Sequence, residues 1–412
     1  MVKSKAFRLV AIASVIAGPL TVAMATDGYF SHGYGMQAKG MGGAAVAMTD
    51  NAFAGANNPA TAAWAGNRLE LGLDLFAPSR DAARVGGGAP GAVTSDSNLF
   101  YVPEVGYNKA INDKLGVGVT VYGNGGMNTN YANGNIMGPG VNMLGGSGRL
   151  GVDLTQLIIA PTAAYKFSDN QSVGISPLIV QQQFKADGLS GFGVSNNGYD
   201  TSSGLGVRLG YLAKLNGTLS IGASYAPKIA MSKFSKYAGL FAEGGGFDIP
   251  ENYTLGASFK ATSDVMVALD YQKIGYSGVR SIANPSNAIL SGIPLGASNG
   301  SGFGWSDINV WKLGAQWQAT PSLILRAGLN VSDNPIKSSD VTFNILAPGV
   351  VTTHYTLGGT YAMSKELDVT LAYMYAPSNS VSGPTLAALP VGGTETIKMS
   401  QQSLGIQFGW HW

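Results

Sequence analysis

Ser403-Leu404-Gly405-Ile406-Gln407-Phe408-Gly409-Trp410-His411-Trp412 ends the chain, and alternate residues in it are unlike. Leu404, Ile406, Phe408, Trp410 and Trp412 are large and apolar, while Ser403, Gly405, Gln407, Gly409 and His411 are small or polar. Successive side chains of an extended backbone point to opposite faces. The segment therefore reads as a strand with one apolar face. Leu69, Leu71, Leu73 and Leu75 repeat the pattern, as do Leu115, Val117, Val119 and Val121. So do Leu219, Ile221, Ala223 and Tyr225, and then Leu323, Leu325, Ala327 and Leu329, and none of these apolar faces carries a charge.

Extended outward, the alternation predicts strands near 67–77, 99–109, 115–127, 154–167, 172–185, 205–214, 219–234, 253–260, 265–279, 310–318, 323–331, 355–361, 367–375 and 398–412. Fourteen is an even number, as a closed antiparallel barrel of the bacterial outer membrane requires. Tight turns at 111–114, 168–170, 216–217, 261–264, 320–321 and 364–365 alternate with long loops at 79–98, 128–153, 187–203, 235–251, 280–306, 332–353 and 377–396. That is the rhythm of short periplasmic turns and long external loops. A soluble β-sandwich also alternates, but its strands would show a second core rather than polar and glycine-rich opposite faces. Strands of about 9–11 residues suit a tilted crossing, and a barrel leaves no unpaired edge in lipid. Pro103, Pro161 and Pro177 fall within proposed strands, where each loses a ladder hydrogen bond and should mark a bulge or bend.

Composition agrees. Of 412 residues only 12% are charged, against about 25% in a typical soluble domain, and 45% are hydrophobic. A formal net charge of +2 offers no surface for nucleic acid, and no such partner is expected. The absence of Cys removes disulfides and thiol chemistry, and three isolated His form no HExxH; no metal or cofactor is expected. Without GxSxG, and with His32, His354 and His411 far apart, an enzyme of the serine type is not expected either. Lys3, Lys5 and Arg8 precede an apolar stretch from Leu9 to Ala23, followed by Ala23-Met24-Ala25. Residues 1–25 thus read as a cleaved signal peptide.

Residues 26–66 do not alternate. They are small and glycine-rich, and Asn58-Pro59-Ala60 is a sound helix start, with Asn capping and Pro at the first position. A segment this short has no core of its own, whereas a fourteen-stranded barrel, residues 67–412, has a lumen to fill. The segment is expected as a helical plug.

At Gly33-Tyr34-Gly35, the stretch from Lys39 to Ala47, Asp50-Asn51-Ala52, Asn58-Pro59-Ala60 and the block from Pro103 to Tyr131, the chain resembles the outer-membrane long-chain fatty acid transporters and their relatives for aromatic hydrocarbons, the FadL/TodX-like proteins. The resemblance implies a barrel closed by an N-terminal hatch, with ligand captured among external loops and released sideways through a gap in the third strand. The positions matching that gap are Gly123, Asn124, Gly125 and Gly126; a strand ending in a glycine-rich loop reads equally well there. Tyr29 and Phe30 match the hatch tip, or are ordinary plug packing. Phe192, Leu240, Phe241 and Phe247 are candidates for capture, or pack their loops. A carboxylate ligand would want a cation, and Arg208, Arg326 and Lys260 fall on the polar face beside Glu70, Asp74, Asp270 and Asp368, where most such charges pair with one another or with the plug. The expected partners are long-chain fatty acids or other hydrophobic small molecules, outer-membrane lipid, and the assembly machinery through Trp412, for a monomer of the Gram-negative outer membrane. Rival readings are an aromatic-hydrocarbon channel of the same family and a general porin.

Overall fold

The structure is a computed structural model that describes residues 26–132 and 134–412; the signal peptide expected at 1–25 lies outside the described residues. Fifteen strands form one antiparallel sheet. They are β1 (Arg68–Val85), β2 (Gly91–Thr94), β3 (Phe100–Ala110), β4 (Leu115–Tyr131), β5 (Leu150–Ser168), β6 (Gln171–Asp187), β7 (Asp200–Lys214), β8 (Leu219–Ala226), β9 (Asn252–Lys260), β10 (Val265–Ile274), β11 (Ile308–Thr320), β12 (Leu323–Ser332), β13 (Thr353–Ala362), β14 (Leu367–Pro384) and β15 (Thr394–His411). The four-residue β2 only extends the edge of β1 near Asp81–Arg84. The other fourteen strands close into a barrel, because β15 pairs with β1 from Arg68↔His411 to Val85↔Thr394. Among the described residues no helix is long and apolar enough to cross a membrane.

The alternating apolar side chains face outward. Leu71, Leu255, Leu313, Leu325, Leu371 and Leu404 are exposed at mid-height. Tyr101, Tyr225, Trp311, Tyr355 and Tyr375 ring the loop end, and Tyr165, Phe259, Trp317, Tyr361 and Trp412 ring the turn end. Two aromatic girdles around an apolar band fit a bilayer with an interface at each end.

Several strand limits differ from the sequence reading. β1 runs on to Val85 and β14 to Pro384, and β15 begins at Thr394, so parts of the loops expected at 79–98 and 377–396 are strand. Their outward residues there, such as Ser79, Asp81, Ser380 and Ser382, are polar. A face that has left the lipid has no need of apolar side chains, so the alternation fades while the pairing continues. β8 and β10 instead stop early, at Ala226 and Ile274. Pro103 sits opposite Leu73 without a register shift. Pro161 and Pro177 fall where the β5–β6 ladder is interrupted between Ile159↔Ile179 and Ala163↔Ile175, each having removed a donor.

Residues 26–66 fill the turn-end half of the lumen and carry two short helices, Met36–Lys39 and Pro59–Ala63. The loop-end half is filled by the loops themselves, with 341–351 folded inward and buried.

Candidate functional site

The plug is held largely by its backbone. Asp270 accepts from the Ala45 and Val46 amides at 2.8 and 2.9 Å, Glu70 from Ala52 at 2.9 Å, Glu104 from Gly35 at 3.0 Å and Gln407 from Met36 at 3.0 Å. Wall carboxylates thus satisfy amides that no strand or long helix serves. Lys39 reaches Asp74 at 2.8 Å and Glu104 at 2.9 Å in a buried triad. Burial alone would disfavour its charge, but the two carboxylates outweigh it and hold its ammonium above the ordinary lysine range. Asn58 caps Ala60 and donates to the Val46 and Tyr211 carbonyls at 2.7 and 2.9 Å. The Asn58-Pro59-Ala60 turn lies flat on Gly174 and Gly210, where a β-carbon would come within 2.3 Å of Pro59 and 2.1 Å of Asn58. Inward glycines therefore serve as the seat of the plug.

At its upper end the plug meets β4. β3 and β4 are paired only from Val105↔Val121 to Ala110↔Gly116, so above that point β4 leaves its neighbour. A register shift between Gly123 and Gly125 bulges it at Asn124. The plug tip takes the vacated place: Phe30 bridges to Gly125, the Gly126 amide donates to the Tyr29 carbonyl at 3.2 Å, and the Ser31 amide donates to the Asn124 carbonyl at 3.2 Å. A β-carbon on Gly125 would lie 1.8 Å from the Tyr29 oxygen. Of the four glycine-region candidates, Gly125 and Asn124 therefore join the tip directly, Gly126 donates to it, and Gly123 marks the start of the bulge.

Tyr29 is packed among rings, with centroids 5.2 Å from Phe30, 5.4 Å from Tyr276, 6.2 Å from Phe247 and 6.2 Å from Trp305. Tyr276 donates its hydroxyl to the Asp27 carbonyl at 2.6 Å and accepts from the Tyr29 amide. Burial pushes the Asp27 carboxyl up to about 6, although Lys312 and the Asn330 amide favour its charge. From Phe247 the rings continue to Phe241 at 4.9 Å and Phe184 at 4.6 Å. There they border a loop-end cavity of about 510 Å³ lined by Leu144, Val152, Leu189, Phe192, Leu240, Phe241, Leu295, Phe303, Phe343 and Leu346. The structure brings Phe192, Leu240 and Phe241 to this one cavity, with Phe247 between it and Tyr29.

The two candidate arginines lie apart from that path. Arg208 lines a polar chamber of about 420 Å³ beside the plug with Asp270, Gln272 and Lys312, and contacts the Gly55 carbonyl at 3.4 Å. Arg326 is tied to Gln316 at 2.8 Å and to Thr360 near the turn end. Lys260 is exposed at that end. Tyr276, Trp305, Phe343 and Arg80 were not singled out from the sequence. The run Phe343-Asn344-Ile345-Leu346-Ala347 was a usable signal, since it is too apolar for a loop in water.

The family model described as outer membrane protein transport protein (OMPP1/FadL/TodX) matches residues 23–408. In fold, the chain is similar to the toluene transporter TodX of Pseudomonas putida, with 19% identity over 92% of this chain and 99% of that one and a TM-score of 0.68. It is similar to a Pseudomonas aeruginosa FadL homologue at 13% identity, 93% and 99% coverage and a TM-score of 0.70. The toluene transporter TbuX of Ralstonia pickettii aligns at 18% identity, 92% and 99% coverage and a TM-score of 0.62. No curated protein matches the chain in sequence.

Proposed function

From the premise that this chain belongs to the OMPP1/FadL/TodX family of outer-membrane transport proteins for hydrophobic compounds, we propose that it takes up long-chain fatty acids or compounds of like hydrophobicity and releases them sideways into the bilayer. Capture occurs in the loop-end cavity at Phe192, Leu240 and Phe241. The ligand then passes along Phe247 to the tip residues Tyr29 and Phe30, and leaves where β4 has parted from β3 above Val105 and Val121. Apolar surface favours an apolar surrounding by about 25 cal/mol per Å², so a route lined with rings and ending in lipid spares the ligand a crossing through water.

The single observation that carries this reading is the plug tip standing in for β3 against Gly125 of β4, which joins the cork and the wall opening in one contact. In this account Arg208 and Arg326 are secondary: Arg208 is placed to meet a polar group in its chamber, and Arg326 braces the wall. The chain acts as a monomer, with the exposed Trp412 offered to the assembly machinery. The same architecture serves an aromatic hydrocarbon if the cavity selects by shape alone.

Deletion of residues 27–64 tests the reading against a general porin. The expected result is ion conductance in planar bilayers together with loss of preferential uptake of long-chain fatty acid over small polar solutes. Unchanged uptake with no new conductance would remove the plugged route.

A further inference from the structure

Arg80 stands on the inward face of β1 and is 3% exposed. Its Nη1 donates to the Asn128 carbonyl, and its guanidinium lies 5.7 Å from the centre of the Phe100 ring. Nε and Nη2 have no partner among the described residues. Arg84, the next inward cation on the same strand, makes a useful contrast, because it is closed by Glu395, which also accepts from Thr342. Arg80 instead borders a second cavity, of about 320 Å³, whose other walls include Phe76, Met127, Trp305, Pro348 and Met399. Its rim is Gly126–Asn128, the part of β4 that β3 does not pair.

A buried charge without its counterion is costly, of the order of several kcal/mol, and folds retain one only where something offsets that cost. Here the side chain keeps two donors of its planar fork directed at an apolar chamber, which is the arrangement that receives a carboxylate through two parallel hydrogen bonds. A neutral hydrocarbon would fill the space and leave both donors unmet. We propose that Arg80 is the headgroup site for a carboxylate-bearing hydrophobic ligand, held in this chamber immediately before it leaves between β3 and β4. The inference rests on the transport route described above and adds the ligand class: an amphiphile with an anionic head. Arg208 is the weaker candidate for this task, because its chamber already holds Asp270, Gln272 and Lys312.

The test uses the full-length protein in the outer membrane of cells lacking other uptake routes, with dodecanoate and dodecan-1-ol as probes of equal chain length. Protein-dependent uptake of each is expressed as an acid-to-alcohol ratio. The wild type is expected to favour the acid, Arg80→Gln to lower the ratio about tenfold, as the loss of one charge-assisted pairing implies, and Arg80→Lys to fall between them. Heat-modifiable migration on gels shows which variants are folded. An unchanged ratio in folded Arg80→Gln overturns the assignment. If that variant does not assemble, a wild-type ratio near one, or a ratio unaltered in Arg80→Lys, overturns it equally. Absence of protein-dependent uptake of both probes would instead defeat the transport reading on which the assignment stands.

Discussion

The two halves of one lumen are built from the same strands by opposite means. Along β15 the inward residues are Gln401, Ser403, Gly405, Gln407 and Gly409 towards the turn end, but Ile397 and Met399 towards the loop end. β6 changes in the same way, from Ser172, Gly174 and Ser176 to Leu178, Val180 and Phe184. The turn half grips a backbone through glycine seats and carboxylate acceptors, and it is full. The loop half offers rings and leucines, and it keeps cavities. Period-two alternation separates lipid from lumen everywhere, while the identity of the inward residues decides whether the lumen is corked or able to receive a guest.

The strongest way to break this contrast is in the turn half. Lys39→Met leaves Asp74 and Glu104 buried without their cation and should cost about 3–5 kcal/mol, read as a lowered urea midpoint of the protein in lipid vesicles. A midpoint equal to the wild type would show that the triad does not anchor the plug. The lipid face provides the next test. Leu325→Arg, one residue from the inward Arg326, should cost about 2–4 kcal/mol if that position meets mid-membrane lipid, and a tolerated charge would mean that the faces are misassigned.

The junction of the two halves responds to pH. Asp27 has its pKa raised from 3.8 to about 6, with burial the main cause, so the folded tip favours the protonated acid. Its contribution to stability is full below pH 4 and is lost as the pH rises through about 6. Asp27→Asn should remove this slope and tighten the tip by about 1–3 kcal/mol at pH 8, visible as slower hydrogen exchange at residues 29–31. A wild-type tip with no pH slope over this range would contradict the assignment. The smallest effect is expected in the loop half. Phe192→Ala removes an edge-to-face contact with Phe343 at 5.1 Å, worth about 0.5–1.5 kcal/mol. Ligand capture should weaken several-fold while the urea midpoint stays in place; equal affinity would take Phe192 out of the cavity's working surface.

How much of this was legible in the sequence follows from which side of the wall a residue serves. Lipid imposes an apolar residue at every second position, so strand number, closure and the lumen plug were readable from runs such as Leu69 to Leu75 and Leu404 to Trp412. Strand ends were not, because beyond the bilayer the outward face relaxes to residues like Ser79, Asp81 and Ser382. Phe192, Leu240 and Phe241 stood out as rings in polar loops. Trp305, Phe343 and Tyr276 did not, since they meet only when the loops at 275–307 and 333–352 fold inward. Arg80 was obscured by the end assigned to β1: placed in a loop, it is an ordinary solvated cation.

Gly123, Gly125 and Gly126 are where the rigid half and the open half meet the wall, and replacing all three with Val tests the route most directly. A β-carbon at Gly125 would come within 1.8 Å of the Tyr29 carbonyl oxygen, so the tip must leave its place on β4 and the bulge must stiffen. The account predicts that long-chain fatty acid uptake by this variant falls at least about tenfold, as loss of roughly 1.4 kcal/mol or more along the route implies, while the barrel still shows heat-modifiable migration. Uptake at the wild-type rate from such a folded barrel would contradict lateral release through β4.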